Sequence, residues 1–282
     1  MSLDTDLAGI EYIDASSQNS PWGGAMISNS LMIGHSELRD IDSYQLLIGS
    51  NTRCTQNGVL LPFSTRLTVS NTTFVNFEEQ GCQAFGTCAH CKPFDGAAMV
   101  RTRQLAFENV ANKVSFGFIH STLITDQDGT LVGGVGSTAN ASILPSSGYL
   151  DPADCQVVPA FSVGGVNGSV CRTMKFAKIA WNEMKPSSID EKDAYLTNKH
   201  GSDVVTWRKK SKSGLTLGYT TFLPVNEEVT LSFQNSTQFT NISFNMRIFE
   251  MPPQQSAHIK LKFNQLPDHF STGDVKRNNT YV

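Results

Sequence analysis

TTFVNF (residues 72–77) and QLAFENV (residues 104–110) align on a phenylalanine that is followed two residues later by an asparagine. The surrounding chain consists of short apolar alternations broken by Gly, Asn and Ser, as in GAMISNSLMIGHS (residues 24–36). This texture is typical of stacked coils of a β-solenoid, because equivalent positions in successive turns form internal ladders of Phe or Asn. The pattern predicts stacked parallel strands.

We therefore predict an all-β fold that starts with a right-handed parallel β-helix, or solenoid. Residues 1–150 are assigned to parallel β-helix repeats, with the clearest winding from about residue 25 to residue 135. Phe74 and Phe107 are expected inside the solenoid, close to each other in adjacent coils.

The pattern changes in the second half of the chain. DVVTWRKKSKSGLTLGYTTFLP (residues 203–224) reads as a strand, a basic turn and a strand that ends at a proline. Residues 151–282 are expected to form a smaller antiparallel β unit, hairpin-like or sandwich-like. PSSIDEKDAYL (residues 186–196) carries the clearest helix-capping signal in the chain.

Composition excludes some classes of function. The net charge is −3, the pI is about 6.1 and charged residues make up only 17% of the chain, so no nucleic-acid surface is predicted. No stretch is apolar enough for a membrane span. The N-terminal MSLDTDLAGIEY carries acids where a signal peptide has a basic region. These features are expected of an internal or processed segment of a longer chain, with any membrane span outside it.

Cysteines and glycosylation sequons indicate an oxidising, secretory compartment. Cys155 and Cys171 flank a glycine-rich stretch and are predicted to pair. The other four cysteines allow three connectivities that the sequence does not separate: Cys54, Cys82, Cys88 and Cys91. Six Asn-x-Ser/Thr sequons are predicted glycosylation sites: Asn71, Asn140, Asn167, Asn235, Asn241 and Asn278.

A resemblance to a known family is carried by residues 71–133. The matching elements are an Asn-Phe before a cysteine cluster, Cys88-x-x-Cys91, Asn112-Lys113-Val114 and an Asp-x-Asp-Gly-(Ser/Thr)-Leu-x-Gly tail. This stretch resembles the late β-helix region of the fibrocystin family, and more distantly the G8-domain cell-surface hyaluronidases. The resemblance implies a piece of a very large, glycosylated, single-span ectodomain with no established enzymatic activity.

The tail ITDQDGTLVGG (residues 124–134) has three interpretations. Asp126 and Asp128 are candidate calcium ligands, although an EF-hand also needs ligands at loop positions that Thr130 and Ser137 occupy. With His120 they are candidate catalytic groups of a hyaluronidase-like glycosidase. The favoured interpretation is a turn, in which both carboxylates accept hydrogen bonds from their own backbone and Gly129 takes a positive φ.

The predicted function is a non-catalytic structural and recognition segment at the cell surface. We predict no cofactor; calcium is an alternative through Asp126 and Asp128. The partner is expected to be an extracellular protein or a glycosaminoglycan, because the basic run WRKKSKSG (residues 207–214) suits anionic sugars as well as a solvated turn. The alternative function is a carbohydrate-active β-helix that binds or depolymerises hyaluronan.

Overall fold

The computed structural model describes part of the chain in residue detail. The described residues are 2–3, 8–11, 24–34, 57–61, 66–78, 82–87, 97–116, 121–133, 139–162, 166–184, 191–209, 216–233 and 260–264. The predicted sites at Cys54, Cys88, Cys91, His120, Asn235, Asn241 and Asn278 lie outside these residues.

The described part is built from strands and one 3₁₀ turn at Pro159–Phe161, which confirms the all-β prediction. In chain order the strands are β1 (Ser2–Leu3), β2 (Ala8–Glu11), β3 (Gly24–Ile33), β4 (Asn57–Leu61), β5 (Arg66–Phe77), β6 (Gln83–Thr87), β7 (Ala97–Val110), β8 (Val114–Ser115), β9 (Ser121–Asp126), β10 (Ala141–Pro145), β11 (Cys155–Val157), β12 (Gly168–Cys171), β13 (Phe176–Met184), β14 (Glu191–Thr197), β15 (Ser202–Lys209), β16 (Thr216–Pro224), β17 (Glu228–Phe233) and β18 (Lys260–Asn264).

The first nine strands divide between two sheets. An eight-stranded sheet has the order β1-β3-β5-β7-β9-β10-β12-β11, and a four-stranded sheet has the order β2-β4-β6-β8. From β2 to β9, each strand therefore belongs to a different sheet from the one before it. The pairs β3–β5, β5–β7, β2–β4, β4–β6 and β6–β8 are all parallel. Parallel pairs need such crossover connections, because a tight hairpin joins only antiparallel strands.

Phenylalanines from both sheets form the core of this region. Phe74 on β5 is fully buried, and its ring centroid lies 4.9 Å from that of Phe85 on β6. Phe107 lies in register with Phe74 on the neighbouring strand, with the two rings stacked at 5.6 Å. The predicted proximity is thus found, but Phe107, which was predicted to lie inside the solenoid, is only partly buried. Gly58 on β4 leaves room for Phe74, since a Cβ there would lie 2.8 Å from the Phe74 ring.

Left-handed residues recur at equivalent places in successive strands. Asn71 of β5 has φ 46°, and the strand register places it level with Asn29 of β3 (φ 53°) and Gln104 of β7 (φ 53°). Its Nδ2 donates to Asn29 Oδ1 at 2.6 Å. Asparagine tolerates this backbone region better than other residues with a Cβ. The stacked left-handed residues bend the long strands at one common level.

A second column of the same kind lies five residues further along β5 and β7. Asn76 (φ 59°) is level with Asn109 (φ 51°), whose Nδ2 donates to Asn76 Oδ1 at 3.2 Å. The asparagines that suggested a repeat in the sequence are therefore ladder positions. Their register explains why TTFVNF and QLAFENV align.

The eight-stranded sheet changes character after β9. Strand β10 pairs antiparallel with β9, Ile143 opposite Ile124, and β12 pairs antiparallel with β10, Val170 opposite Ile143. All four of the β10 residues Ala141, Ser142, Ile143 and Leu144 are buried. Burial on both faces accounts for the nearly continuous apolar character of this short strand.

The remaining strands form a six-stranded sheet in the order β13-β16-β15-β14-β17-β18. Four of its pairings are antiparallel and β17–β18 is parallel. The predicted strand–turn–strand over residues 203–224 agrees with β15 and β16, which pair antiparallel with Arg208 opposite Gly218.

The helix signal in residues 186–196 is wrong where the structure describes that stretch. Glu191–Thr197 is the strand β14, hydrogen-bonded to β15 on one side and β17 on the other. Leu196 is fully buried. Pairing on both edges and burial outweigh the weak local preference for a helix, because propensity differences are only fractions of a kcal/mol.

The chain forms two compact units that interleave along the sequence. One comprises Met1–Cys91, Ala98–Ser146 and Gln156–Arg172, and the other comprises Lys92–Ala97, Ser147–Cys155 and Thr173–Val282. The boundary near residue 150 stays a prediction. Within the described residues, no helix has the length and apolarity needed to cross a membrane.

Candidate functional site

The candidate site lies at the end of β9, where the chain leaves the parallel strands. Residues 114–126 are divided between two sheets, because Val114–Ser115 belongs to the four-stranded sheet and Ser121–Asp126 to the eight-stranded sheet. A turn follows Asp126, with Gly129 at φ 84° and a hydrogen bond from Gly133 N–H to Gly129 O of 2.9 Å. The positive φ agrees with the predicted turn.

Asp126 is fully buried and faces backbone donors. Its Oδ2 accepts the Val132 N–H at 2.9 Å, and Thr102 Oγ1 lies 3.4 Å from its Oδ1. Burial raises the pKa of the Asp126 carboxyl, although the Val132 N–H opposes this shift. The neighbouring charge of Asp128 raises it further. The hydrogen bond from Val132 to Asp126 thus closes the turn formed by the six residues that follow Asp126.

Asp128 serves as a hydrogen-bond acceptor for two segments. Its Oδ1 accepts Thr130 Oγ1–H at 2.7 Å and Thr130 N–H at 3.2 Å, which is the geometry of a side chain closing its own turn. Its Oδ2 accepts the N–H of Gln104, a residue of β7, at 2.6 Å. Although partial desolvation raises the pKa of Asp128, the hydrogen bonds from Thr130 and Gln104 hold it below its ordinary value.

Thr130 completes the contact with β7. Its Oγ1 accepts the N–H of Leu105 at 3.1 Å. Strand β9 ends at Asp126, whereas β7 continues to Val110, so part of the β7 edge extends beyond its neighbour. Side-chain oxygens of Asp128 and Thr130 take the place of strand carbonyls along that edge. We call this element, residues 126–132, the edge cap.

Lys113 lies on the other side of the edge cap. Its Nζ donates to Leu131 O at 2.8 Å and lies 4.5 Å from the centroid of the Phe107 ring. Burial lowers the pKa of Lys113, and the charge of Asp126 opposes that shift. The contact with Phe107 combines cation–π attraction with packing of the lysine stem.

These contacts limit the chemistry of the two aspartates. A calcium cage needs six to eight oxygens around one ion, and a glycosidase needs one carboxyl accessible to the sugar. Asp126 is without solvent exposure, and the oxygens of Asp128 accept three hydrogen bonds. The arrangement is suited to holding backbone in place.

Sequence reasoning missed the partners that give the aspartates this role. Gln104 and Lys113 are 24 and 13 residues from the acids that they approach, a separation that local patterns do not reveal. One signal was available: Asn112-Lys113-Val114 and the Asp-x-Asp-Gly-Thr tail both belong to the family resemblance. In the structure these two elements are in contact.

The described cysteines are oxidised. Cys82, Cys155 and Cys171 are all disulfide-bonded, which requires at least two bridges. A Cys155–Cys171 disulfide fits the prediction and joins two strands of one sheet, β11 and β12. The bonded Cys82 sulfur cannot serve as a thiolate ligand to zinc.

Three predicted glycosylation sites fall within the described residues. Asn71, Asn140 and Asn167 are all exposed. Asn140 and Asn167 precede strands β10 and β12, at opposite ends of that antiparallel pair. Asn71 differs from them because its side-chain amide is part of the asparagine column.

A second polar cluster, in the other compact unit, was not predicted. Glu227 accepts from Asn198 Nδ2 at 2.8 Å, while His200 Nε2 lies at 3.1 Å and Lys199 Nζ at 3.4 Å from its carboxylate. Asn198 Oδ1 accepts the N–H groups of His200 and Gly201. The cluster closes the turn between β14 and β15 and fixes it to the turn before β17.

The fold and the edge cap define a class of protein. It is an all-β segment in which parallel strands stack in register over a phenylalanine core and aspartate side chains accept hydrogen bonds from backbone N–H groups. No family model matches the chain. It is similar to fibrocystin-L of Mus musculus, with 31% identity over 262 residues, and to fibrocystin-L of Homo sapiens, with 30% identity over the same length. It is also 35% identical over 148 residues to fibrocystin of Mus musculus.

The chain belongs to the fibrocystin family. The fibrocystin-L matches cover 90% of this chain but only 6% of the fibrocystin-L proteins, and the fibrocystin match covers 52% of this chain and 3% of that protein. The chain thus corresponds to a small part of its relatives' length.

Proposed function

We propose that the chain is a non-catalytic, rigid structural segment of a large receptor-like glycoprotein at the cell surface. Its parallel strands would wind as a right-handed β-solenoid, followed by the smaller β-rich unit. Support for the solenoid comes from the regular alternation of β2 to β9 between two sheets and from the in-register columns of Phe and Asn. Support for the setting comes from family membership and the oxidised cysteines.

The observation that carries the non-catalytic role is the use of Asp126 and Asp128. Both carboxylates of the motif that carries the distant resemblance to cell-surface hyaluronidases accept hydrogen bonds from backbone N–H groups. A carboxylate that is buried and bound in this way stabilises a fold, because leaving such donors without partners costs about 1–3 kcal/mol each.

A rigid segment would act by displaying glycans and loops at fixed positions. Glycans on the exposed Asn71, Asn140 and Asn167 would be held at fixed spacing, and loops between strands would be presented to an extracellular partner. The partner is a protein or a glycosaminoglycan. The membrane would be reached through a span elsewhere in the full protein.

Incubation of the purified, glycosylated segment with hyaluronan of defined length tests this proposal. We expect the length distribution to stay unchanged over days, in buffers with calcium and with chelator. The Asp126→Asn variant provides the matched control. Shortening of hyaluronan by the wild-type chain that disappears in Asp126→Asn would overturn the non-catalytic role and establish the hyaluronidase-like alternative.

A further inference from the structure

Three arginines share the outer face of the parallel sheet. Arg66 lies on β5, and Arg101 and Arg103 lie on β7; all three are exposed. Their neighbours in the chain, Val100 and Thr102, are buried. Because successive strand residues point to opposite faces, the arginines point away from the phenylalanine core.

Strand register sets the spacing of the arginines. Met99 is opposite Arg66, and Arg101 is opposite Thr68, so Arg66 and Arg101 are diagonal neighbours on adjacent strands. Ideal sheet geometry places their Cβ atoms about 8 Å apart and those of Arg101 and Arg103 about 7 Å apart. The three cations therefore form a row that crosses from one strand to the next.

The described strand residues level with this row are uncharged apart from the arginines themselves. The stretches Gly24–Ser28, Arg66–Ser70 and Met99–Arg103, which form this part of the sheet, contain no Asp or Glu. The acids that border the row lie at and beyond the bend at Gln104: Asp128, whose Oδ2 accepts the Gln104 N–H, and Glu108 on β7. Ser28 is exposed beside the row, and Met26, in register with Thr68, is 62% exposed.

We propose that this arginine face, defined by Arg66, Arg101 and Arg103, binds a sulfated glycosaminoglycan. Guanidinium groups recognise sulfate through paired N–H donors, and a rigid sheet holds several of them at fixed spacing for a linear polyanion. Serine and threonine hydroxyls beside the row suit sugar hydroxyls, and Met26 offers an apolar contact for a pyranose ring. Nucleic acid is disfavoured, because the stretches that form this face contain no aromatic side chain for base stacking.

The choice of a sulfated polysaccharide as the polyanion rests on the proposed extracellular setting. Binding in vitro does not depend on that setting. A failure of the arginine face to bind the polysaccharide is therefore a separate outcome from a failure of the proposed cell-surface role. The hyaluronan experiment above and secretion of the chain decide the second.

The test is the affinity of the full chain for a heparin-derived dodecasaccharide, measured by biolayer interferometry. Substituting Arg66→Gln, Arg101→Gln and Arg103→Gln together is expected to weaken binding at least about tenfold, because paired charge-assisted hydrogen bonds are lost. The corresponding triple Lys variant is expected to recover part of the loss, since it restores charge without the planar fork.

The matched control removes the same charge from the basic run. Arg208→Gln, Lys209→Gln and Lys210→Gln together should change affinity less than about twofold, a difference within the range of screened long-range charge. Completely desulfated heparin and a DNA duplex of similar length should bind at least about tenfold more weakly than the sulfated probe. Should the triple Gln variant lose its cooperative melt, Arg103→Gln alone is measured and should weaken binding about threefold.

Three results would overturn the proposal. The first is unchanged affinity in the folded arginine variants, and the second is an equal or larger loss in the basic-run control. The third is equally tight binding of DNA or desulfated heparin, which would indicate attraction of any polyanion.

Discussion

At the scale of single residues, the two aspartates of the edge cap have different environments and different roles. Asp126 is buried and shapes the turn from within, whereas Asp128 is partly exposed and reaches back to β7. Their pKa values move in opposite directions for that reason. Both carboxylate oxygens of Asp128 accept hydrogen bonds. Oδ1 accepts from Thr130 in the turn, and Oδ2 accepts from Gln104 on β7.

The first prediction concerns amide substitutions in the edge cap. From the sequence alone, Asp128→Asn is expected to be nearly silent. The contacts in the structure change that expectation, because an Asn NH₂ would face either the Gln104 N–H or Thr130. We expect Asp128→Asn and Asp126→Asn each to lower the free energy of unfolding by about 1–3 kcal/mol, and Gly129→Val by at least about 1 kcal/mol from its positive φ.

Urea titrations with calcium and with chelator provide the measurement for these variants. The losses should be the same in both buffers, because the carboxylates act on backbone donors. A destabilisation of Asp128→Asn that appears only with calcium would establish a metal site and contradict the capping role.

The second prediction is the pH dependence of the same pair. The pKa of Asp128 is lowered in the folded state, so its stabilising contribution is complete above its ordinary value of 3.8 and is lost as pH falls through the folded pKa. The pKa of Asp126 is raised, so the native state binds this proton first, and stability rises as pH falls through its folded pKa, above 3.8.

The wild-type chain is compared with each Asn variant, which does not titrate at the substituted position. The contributions of the other titratable groups then cancel in the difference. The free-energy difference from Asp128→Asn should shrink below about pH 3.8, and the difference from Asp126→Asn should grow as pH is lowered from neutrality. Two differences that change in the same direction would show that the environments have been assigned wrongly.

At the scale of elements, strand stacking depends on equivalent positions in β3, β5 and β7. Phe74 with Phe107 fills the interior, and Asn71 with Asn76 makes the bends of β5. The same register accounts for both columns. A substitution in one column therefore tests a contact between neighbouring strands.

The third prediction separates the two core phenylalanines. Phe74→Ala should cost about 3–5 kcal/mol of unfolding free energy, as a large cavity does. Phe107→Ala should cost less, about 1–3 kcal/mol, because Phe107 is only partly buried. Chemical denaturation of both variants measures the difference. An equal or larger loss for Phe107→Ala would contradict the packing described for β5 and β7.

The fourth prediction concerns the left-handed position at Asn76. Asn76→Gly keeps the backbone conformation and loses the side-chain contact with Asn109, at a cost of about 1 kcal/mol. Asn76→Val also forces a β-branched residue into the left-handed region and should cost about 2–3 kcal/mol in total. The extended neighbour Thr73→Val is the control, expected within about 0.5 kcal/mol of wild type. Equal effects of Gly and Val would show that Asn76 is not left-handed.

At the scale of the whole chain, part of this structure could be predicted from the sequence. Small polar residues around Phe74 and Phe107 predicted all-β structure and the alignment of neighbouring strands, because stacked equivalents carry their own repeat. The division of residues 114–126 between two sheets could not be predicted from the sequence, since Val114 and Ile124 fall on the same side of an alternating pattern that a single strand would also show. Strand β14 was missed because its pairing partners, not its own residues, determine its conformation.

Only the contacts within the turn could be predicted from the sequence. Gly129 and the link from Asp128 to Thr130 follow from turn chemistry. The bonds from Gln104 and Leu105 to the edge cap depend on the strand register, which places residues 24 and 25 positions apart together.

The central claim is that side-chain oxygens of the edge cap accept hydrogen bonds from the backbone N–H groups of β7. Amide hydrogen exchange tests this claim most directly. Exchange is followed across the whole chain, in wild type and in Asp128→Ala. The control is Asp154→Ala, whose carboxylate accepts the Thr173 and Met174 N–H groups in the other unit. We expect the Gln104 and Leu105 amides to be protected in wild type and in Asp154→Ala, and the Gln104 amide to lose protection in Asp128→Ala while the amides of β5 stay slow. Fast exchange of Gln104 in wild type, or protection unchanged by Asp128→Ala, would contradict the account.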